Sequence, residues 1–239
     1  MTITETTPVG DIVTAVPSSI RVFERHGVDF CCGGRQPLAA ACEERGLSLA
    51  AIEREIEATA ATDNDTVLYW ADASLEELTG HIVGTYHESL RTELPHLVSL
   101  AARVQLAHGA RAPRLLHCVD AAVRELSTDL LAHMVKEEQE LFPAIRALDR
   151  RGSCSLPVPQ LVAAMESEHD RASQLLTDLR AATDDFTPPD WACAATRALY
   201  QGLAKLEADM HIHVHLENNV LFPRALELAR ATARASAAG

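Results

Sequence analysis

The sequence predicts an all-α fold: an up-down-up-down bundle of four long helices, preceded by a small helical domain. Three observations carry that expectation. Hydrophobic residues make up 47% of the 239 but aromatics only 4%, so a large core must be built from aliphatic side chains. That composition favours packed helices over a sandwich or barrel. Long stretches space their apolar residues three and four apart, which is the helical period. Finally, "HMVKEEQELFP" from His133 recurs as "HVHLENNVLFP" from His213, an offset of 213 − 133 = 80 residues.

Taken in order, residues 1–62 read as the small helical domain. Ile20, Val22, Phe23 and Val28 supply apolar material before "DFCCGGRQP" breaks the pattern. After the break, "PLAAACEERG" and "SLAAIEREIEAT" read as two short amphipathic helices, with Ser48 as N-cap of the second. Residues 63–73, rich in Asp, Asn and Thr, read as a linker. The bundle is expected over 74–232, with a disordered tail at 233–239. "SLEE" is a capping box, Ser74 at N-cap and Glu77 at N3, and Leu75, Leu78, Ile82, Tyr86 and Leu90 continue its helix. The second helix is expected from Pro113 to Ala147, and the third from Gln160 to Ala182. The fourth is expected from Thr187 as N-cap and Pro188 as N1 to Arg230. Pro143 and Pro223, late in the second and fourth helices, are expected to kink or end them.

A formal net charge of −13 argues against nucleic acid as a partner. No apolar run reaches the roughly 18 residues of a membrane span, and the polar start "MTITETTPVGD" does not resemble a signal peptide. A soluble, cytoplasmic protein is the expectation. Six cysteines without a secretion signal are not read as a disulfide framework. Cys42, Cys118, Cys154 and Cys193 read as isolated core or surface residues.

The repeat sorts the eleven histidines. His133 corresponds to His213, Glu137 to Glu217, and Leu-Phe-Pro to Leu-Phe-Pro. More weakly, "YHES" around His87 corresponds to "EHDR" around His169. Each half thus carries one lone His and one His-x-x-x-Glu. On a helix, residues i and i+4 share a face with Cβ atoms about 5–6 Å apart, so both can reach one centre. Four imidazoles and two carboxylates, from His87, His133, Glu137, His169, His213 and Glu217, form a set suited to two iron ions. A lone His is more often an ordinary core or boundary residue, and a single His-x-x-x-Glu is weak. Packing alone, however, gives no reason to duplicate His and Glu together. Two carboxylates leave two metal ions incompletely neutralised, with room for an oxo, hydroxo or exogenous ligand. His81, His96, His108 and His117 have no counterpart and read as surface or boundary residues. Alternation puts His211 and His215 on other faces than His213, as bystanders. Asp170 and Asp209 read as solvated, with an outer role near the metals as the alternative.

In "DFCCGG", Gly33 and Gly34 allow positive φ and a tight turn. Arg35 and the start of the next helix are expected to lower a thiol pKa at Cys31 or Cys32. Such thiols suit redox chemistry or iron transfer. Two small residues filling a turn is the plainer alternative. No C-x-x-C spacing marks a zinc site here.

"DFCCGG", "HMVKEEQELFP", "ESEHD" and "HLENNVLFPRA" together resemble the Ric (repair of iron centres) di-iron proteins, which are hemerythrin-like proteins preceded by a Cys-Cys domain. The resemblance spans nearly the whole chain. It implies a hemerythrin-like bundle with a non-haem di-iron centre, oxo-bridged in one form, held by the same six residues. It also implies repair of iron–sulfur clusters damaged by nitrosative or oxidative stress. Two mechanisms stay open: donation of iron, and binding and reduction of nitric oxide. The implied partners are damaged iron–sulfur proteins and nitric oxide or dioxygen as a small ligand, and a homodimer is left open. The alternative is a hemerythrin-like oxygen-binding or sensing protein, for which the Cys-Cys domain has no evident use.

Overall fold

The structure, a computed structural model, describes residues 3–62, 70 and 72–237. Residues 63–69 and 71 of the expected linker, and residues 238–239 of the expected tail, lie outside these. Helices account for all the regular structure among the described residues, apart from one isolated bridge between Pro8 and Pro37. The fold class is therefore all-α, as composition and periodicity predicted. The chain divides into two compact units, Met1–Leu78 with Leu148–Ser153 and His211–Gly239, and Thr79–Ala147 with Cys154–Met210.

The first unit opens with α1 (Val9–Ala15), a 3-10 turn (Pro17–Ser19) and α2 (Ile20–His26). Gly27 ends α2 at φ +64°, and the Val28 N–H reaches back to the Phe23 carbonyl, a left-handed cap that glycine adopts without steric cost. After the Cys-Cys loop come α3 (Leu38–Glu44) and α4 (Leu49–Thr62), the latter with Ser48 at the N-cap position. Val9, Ile12, Phe23, Leu38, Ile52 and Ile56 are almost fully buried, and each such side chain contributes about 1.5–3 kcal/mol relative to exposure. A π-turn (Leu216–Leu221) and α11 (Phe222–Ala237) belong to the same unit, with Leu221 and Phe222 fully buried and α1 packed against the turn. The capping box forms as expected: Ser74 N–H donates to Glu77 Oε2 at 2.9 Å, and Glu77 N–H donates to Ser74 Oγ at 3.1 Å.

The second unit packs four helical segments. α5 (Leu75–Ile82) passes through a π-turn (Val83–His87) into α6 (Glu88–His108). α7 (Pro113–Lys136) passes through a π-turn (Glu137–Leu141) into α8 (Phe142–Arg151). α9 (Val158–Ala182) and α10 (Ala194–His215) complete the set, and α10 runs on into the π-turn before α11. α7 packs on both α6 and α9, while a Cβ on Gly202 of α10 would sit 2.6 Å from Leu97 of α6. Leu94, Leu97 and Val104 of α6 and Val119, Val123 and Leu126 of α7 are almost fully buried, and the two helices pack on one another.

Three expectations need correction. The fourth helix starts at Ala194, not Pro188. A residue before proline is pushed out of the α region, so Pro188 and Pro189 disfavour helix at Thr187 and Pro188, which lie outside any helix. Ahead of them Asp184, Asp185 and Phe186 all take left-handed φ (49°, 60° and 55°). Second, neither Pro143 nor Pro223 ends its helix. Each follows a π-turn, whose wider coil makes room for the proline ring against the preceding turn. Third, α11 continues to Ala237, so residues 233–237 are helical and not a disordered tail.

Candidate metal centre

His87 closes the first π-turn, Glu137 opens the second, and Glu217 lies in the third. π-turns rotate the following residues out of α register and recur at functional sites. His87, His133, Glu137, His169, His213 and Glu217 are all buried to 3% exposure or less. Within the second unit, Glu137 Oε2 lies 3.4 Å from His87 Nε2 and 3.3 Å from His133 Nε2. His169 Nε2 is 3.1 Å from His133 Nε2, with ring centroids 4.8 Å apart. Within the first unit, His213 Nε2 lies 3.1 Å from Glu217 Oε1.

The donor set fits a cation. Among the described residues, none donates a hydrogen bond to either oxygen of Glu137, although both are buried. A buried carboxylate left that way costs several kcal/mol, roughly, unless a positive charge compensates it. The imidazoles are oriented to help. His87 Nδ1 lies 2.7 Å from Glu138 Oε1, and His133 Nδ1 lies 2.9 Å from Glu168 Oε2. An ionised carboxylate only accepts, so both Nδ1 atoms carry the proton and both Nε2 lone pairs face Glu137. Burial raises the Glu138 carboxyl, but hydrogen bonds from His87 and Arg91 prevail and hold it below the usual range. Glu168 behaves alike: burial raises it, and Lys136 and His133 bring it lower.

Sequence reasoning missed Glu138 and Glu168. Both adjoin proposed ligands, in "KEEQ" and "ESEHD", but adjacency on a helix says nothing about which face a side chain takes. Asp170 is exposed, as read from the sequence, and Asp209 pairs with Lys205. His96 and His117 are exposed, and His81 and His108 are half-buried.

The thiol loop departs from expectation. Gly33 and Gly34 do not adopt positive φ. Instead Asp29 shapes the loop, accepting N–H bonds from Cys31 (2.9 Å), Cys32 (3.0 Å) and Gly33 (2.9 Å). The Cys31 thiol is raised well above its ordinary value, not lowered: a hydrogen bond with Cys32, burial and the Asp29 carboxylate all favour the protonated form. Nor is His215 a bystander. It is buried, and its Nδ1–H donates to the Phe30 carbonyl at 3.3 Å. Burial pushes it down to about 4 against that bond, so the ring is neutral. His211 meets the Phe30 ring edge-on, with centroids 5.8 Å apart.

Fold and site together define a helical-bundle protein with a buried histidine–carboxylate cation site. The chain belongs to the hemerythrin HHE cation-binding family, whose domain model matches residues 78–225. The cofactor of this site class is a non-haem di-iron centre. A second model, a domain of unknown function (DUF542), matches residues 5–60. The chain is similar to the iron–sulfur cluster repair protein YtfE of Shigella boydii serotype 4, with 37% identity over 92% of this chain and 96% of that one. The YtfE proteins of Cronobacter sakazakii (39%) and Enterobacter sp. strain 638 (38%) match with the same coverage.

Proposed function

We propose that this protein repairs iron–sulfur clusters damaged by nitrosative or oxidative stress, with His87, His133, Glu137, His169, His213 and Glu217 as ligands to two irons. The observation that carries the reading is similarity to iron–sulfur cluster repair proteins across 92% of the chain, through both the thiol domain and the cation-binding domain. These residues would hold iron that could supply labile metal to a damaged cluster or electrons to a small ligand such as nitric oxide. The residues set the terms. Neutral imidazoles add no charge, so two carboxylates offset only part of the charge of two divalent ions. Glu138 and Glu168 keep the Nδ1 protons of His87 and His133, so each ring presents its Nε2 lone pair.

Damaged iron–sulfur proteins are the proposed partners, with nitric oxide or dioxygen as small ligands. All six cysteines are free thiols, and this favours the reducing cytoplasm. No helix among the described residues is long and apolar enough to cross a membrane. The test is anaerobic purification followed by metal analysis and Mössbauer spectroscopy, then a repair assay on a hydratase whose cluster nitric oxide has damaged. Two coupled irons per chain and recovery of hydratase activity only with iron-loaded protein are the expected results. One zinc and no iron, or equal recovery with metal-free protein, overturns the proposal.

A further inference from the structure

The DFCCGG loop and the proposed ligand Glu217 share one compact unit, and the side chain of Asn219 ties them together. Asn219 lies two residues beyond Glu217, on another face of the same turn. Its Nδ2 donates to the Cys31 carbonyl at 2.9 Å and to the Phe30 carbonyl at 3.3 Å. Its Oδ1 fills a space walled by two glycines. A Cβ on Gly34 would lie 2.4 Å from that oxygen, and one on Gly10 would lie 2.5 Å from it. Gly10 N–H in turn donates to the Gly34 carbonyl at 2.7 Å, and Val9 N–H to the Gln36 carbonyl at 2.9 Å. The first turn of α1, the thiol loop and the ligand-bearing π-turn are thus closed around Asn219. The glycines of "CCGG" serve this close approach, not a positive φ. His215, two residues past His213, adds a second bond to Phe30 from the same helix.

We propose that Asn219 is a positioning residue that couples the Cys31–Cys32 pair to the metal-ligand turn, so that metal occupancy and thiol reactivity control one another. The inference rests on Glu217 being a ligand. The reason is geometric. Cys31 is buried with its carbonyl fixed by Asn219, while Cys32 is half-exposed, so a shift of the π-turn reaches the loop through one hydrogen bond. Such coupling is reciprocal by thermodynamic necessity. Metal binding that shifts the equilibrium of the loop must itself change in affinity when that equilibrium is altered.

The experiment compares iron-loaded and iron-depleted full-length protein. Iodoacetamide alkylation is followed at each cysteine by peptide mass spectrometry, with exposed Cys118 as the internal control. In the native protein, the Cys32 rate should differ at least about fivefold between the two states while Cys118 does not change. In Asn219→Ala the ratio should fall close to one, with iron content retained. Gly34→Ala, whose methyl group would displace Asn219 and press on the Phe30 carbonyl, should do the same without altering the ligand helix. Protein alkylated at Cys32 should show its apparent iron affinity, read by chelator competition, shifted from that of unmodified protein. A native ratio near one overturns the proposal, as does a native ratio preserved in Asn219→Ala. Glu217→Ala separates the two readings: if it keeps its full iron content, the ligand assignment fails, whatever the alkylation rates show.

Discussion

At the residue scale, the alternating histidines of "HIHVH" divide between two tasks. His213 sits 3.1 Å from Glu217, its proposed fellow ligand, whereas His215 holds the Phe30 carbonyl of the thiol loop. His213→Ala should therefore leave about one iron bound per chain, since a binuclear site loses one ion's imidazole. His215→Ala should keep both irons but speed alkylation of Cys31. Iron analysis and peptide mapping on the two variants would show this, and equal iron loss in both would refute the division. A second residue-scale expectation concerns Cys193, which is exposed at the start of α10. Hydrogen bonding with the Thr196 hydroxyl, the Thr196 N–H and His108 lowers its thiol to about 6. The thiolate is the reactive form, so alkylation of Cys193 should rise as pH increases through about 6 and then level off. A Cys193 rate that is still climbing steeply above roughly pH 8 would count against it. The proposed ligand histidines could be singled out because the sequence repeat compares each with a copy. Asp29, Asn219 and His215 were not legible, because their partners are turns and carbonyls, and His215 lies 185 residues from its partner Phe30.

At the scale of elements, local signals were readable and non-local ones were not. The Ser74–Glu77 box depends on three residues of chain and forms as read. Ser74→Ala should cost about 1 kcal/mol, because the Glu77 N–H loses its side-chain acceptor. For a chain of this length that lowers the thermal midpoint by about 2–4 °C, which calorimetry can resolve. No change would mean that this helix end is held wholly by other contacts, such as the bond from Arg224 to the Ala73 carbonyl. The start of the fourth helix was misread because Thr187–Pro188 looks like a cap when Pro189 is ignored. The Leu-Phe-Pro motifs were seen, and their prolines were expected to kink or end the helices. Their prolines follow π-turns, and a wider turn changes what a proline does to the helix. Three of the six proposed ligands lie in such turns. The local widening and the placement of metal donors are thus one structural event, invisible to a pattern search that assumes a constant 3.6-residue period.

At the scale of the whole molecule, the proposed ligands impose a cost that metal must offset. Glu137 and Glu217 are fully buried in a chain that already carries a net charge of −13. Without a cation their ionised forms are poorly solvated, and self-repulsion across an acidic protein adds to the burden. Iron that binds the native state but not the unfolded chain stabilises by mass action, by about 2.7 kcal/mol when free metal is a hundred times Kd. Spread over a chain of this size, that amounts to a midpoint increase of roughly 5–10 °C. Anaerobic calorimetry of iron-loaded and chelator-treated protein should show this gap, and added ferrous iron should close it. Glu137→Gln removes one buried charge while nearly preserving shape. Its metal-free form should therefore be at least as stable as metal-free native protein, and should gain less from iron. A metal-free native protein that melts where the loaded one does would mean the buried carboxylates are compensated by the protein alone. The histidine–glutamate repeat would then need an explanation other than metal.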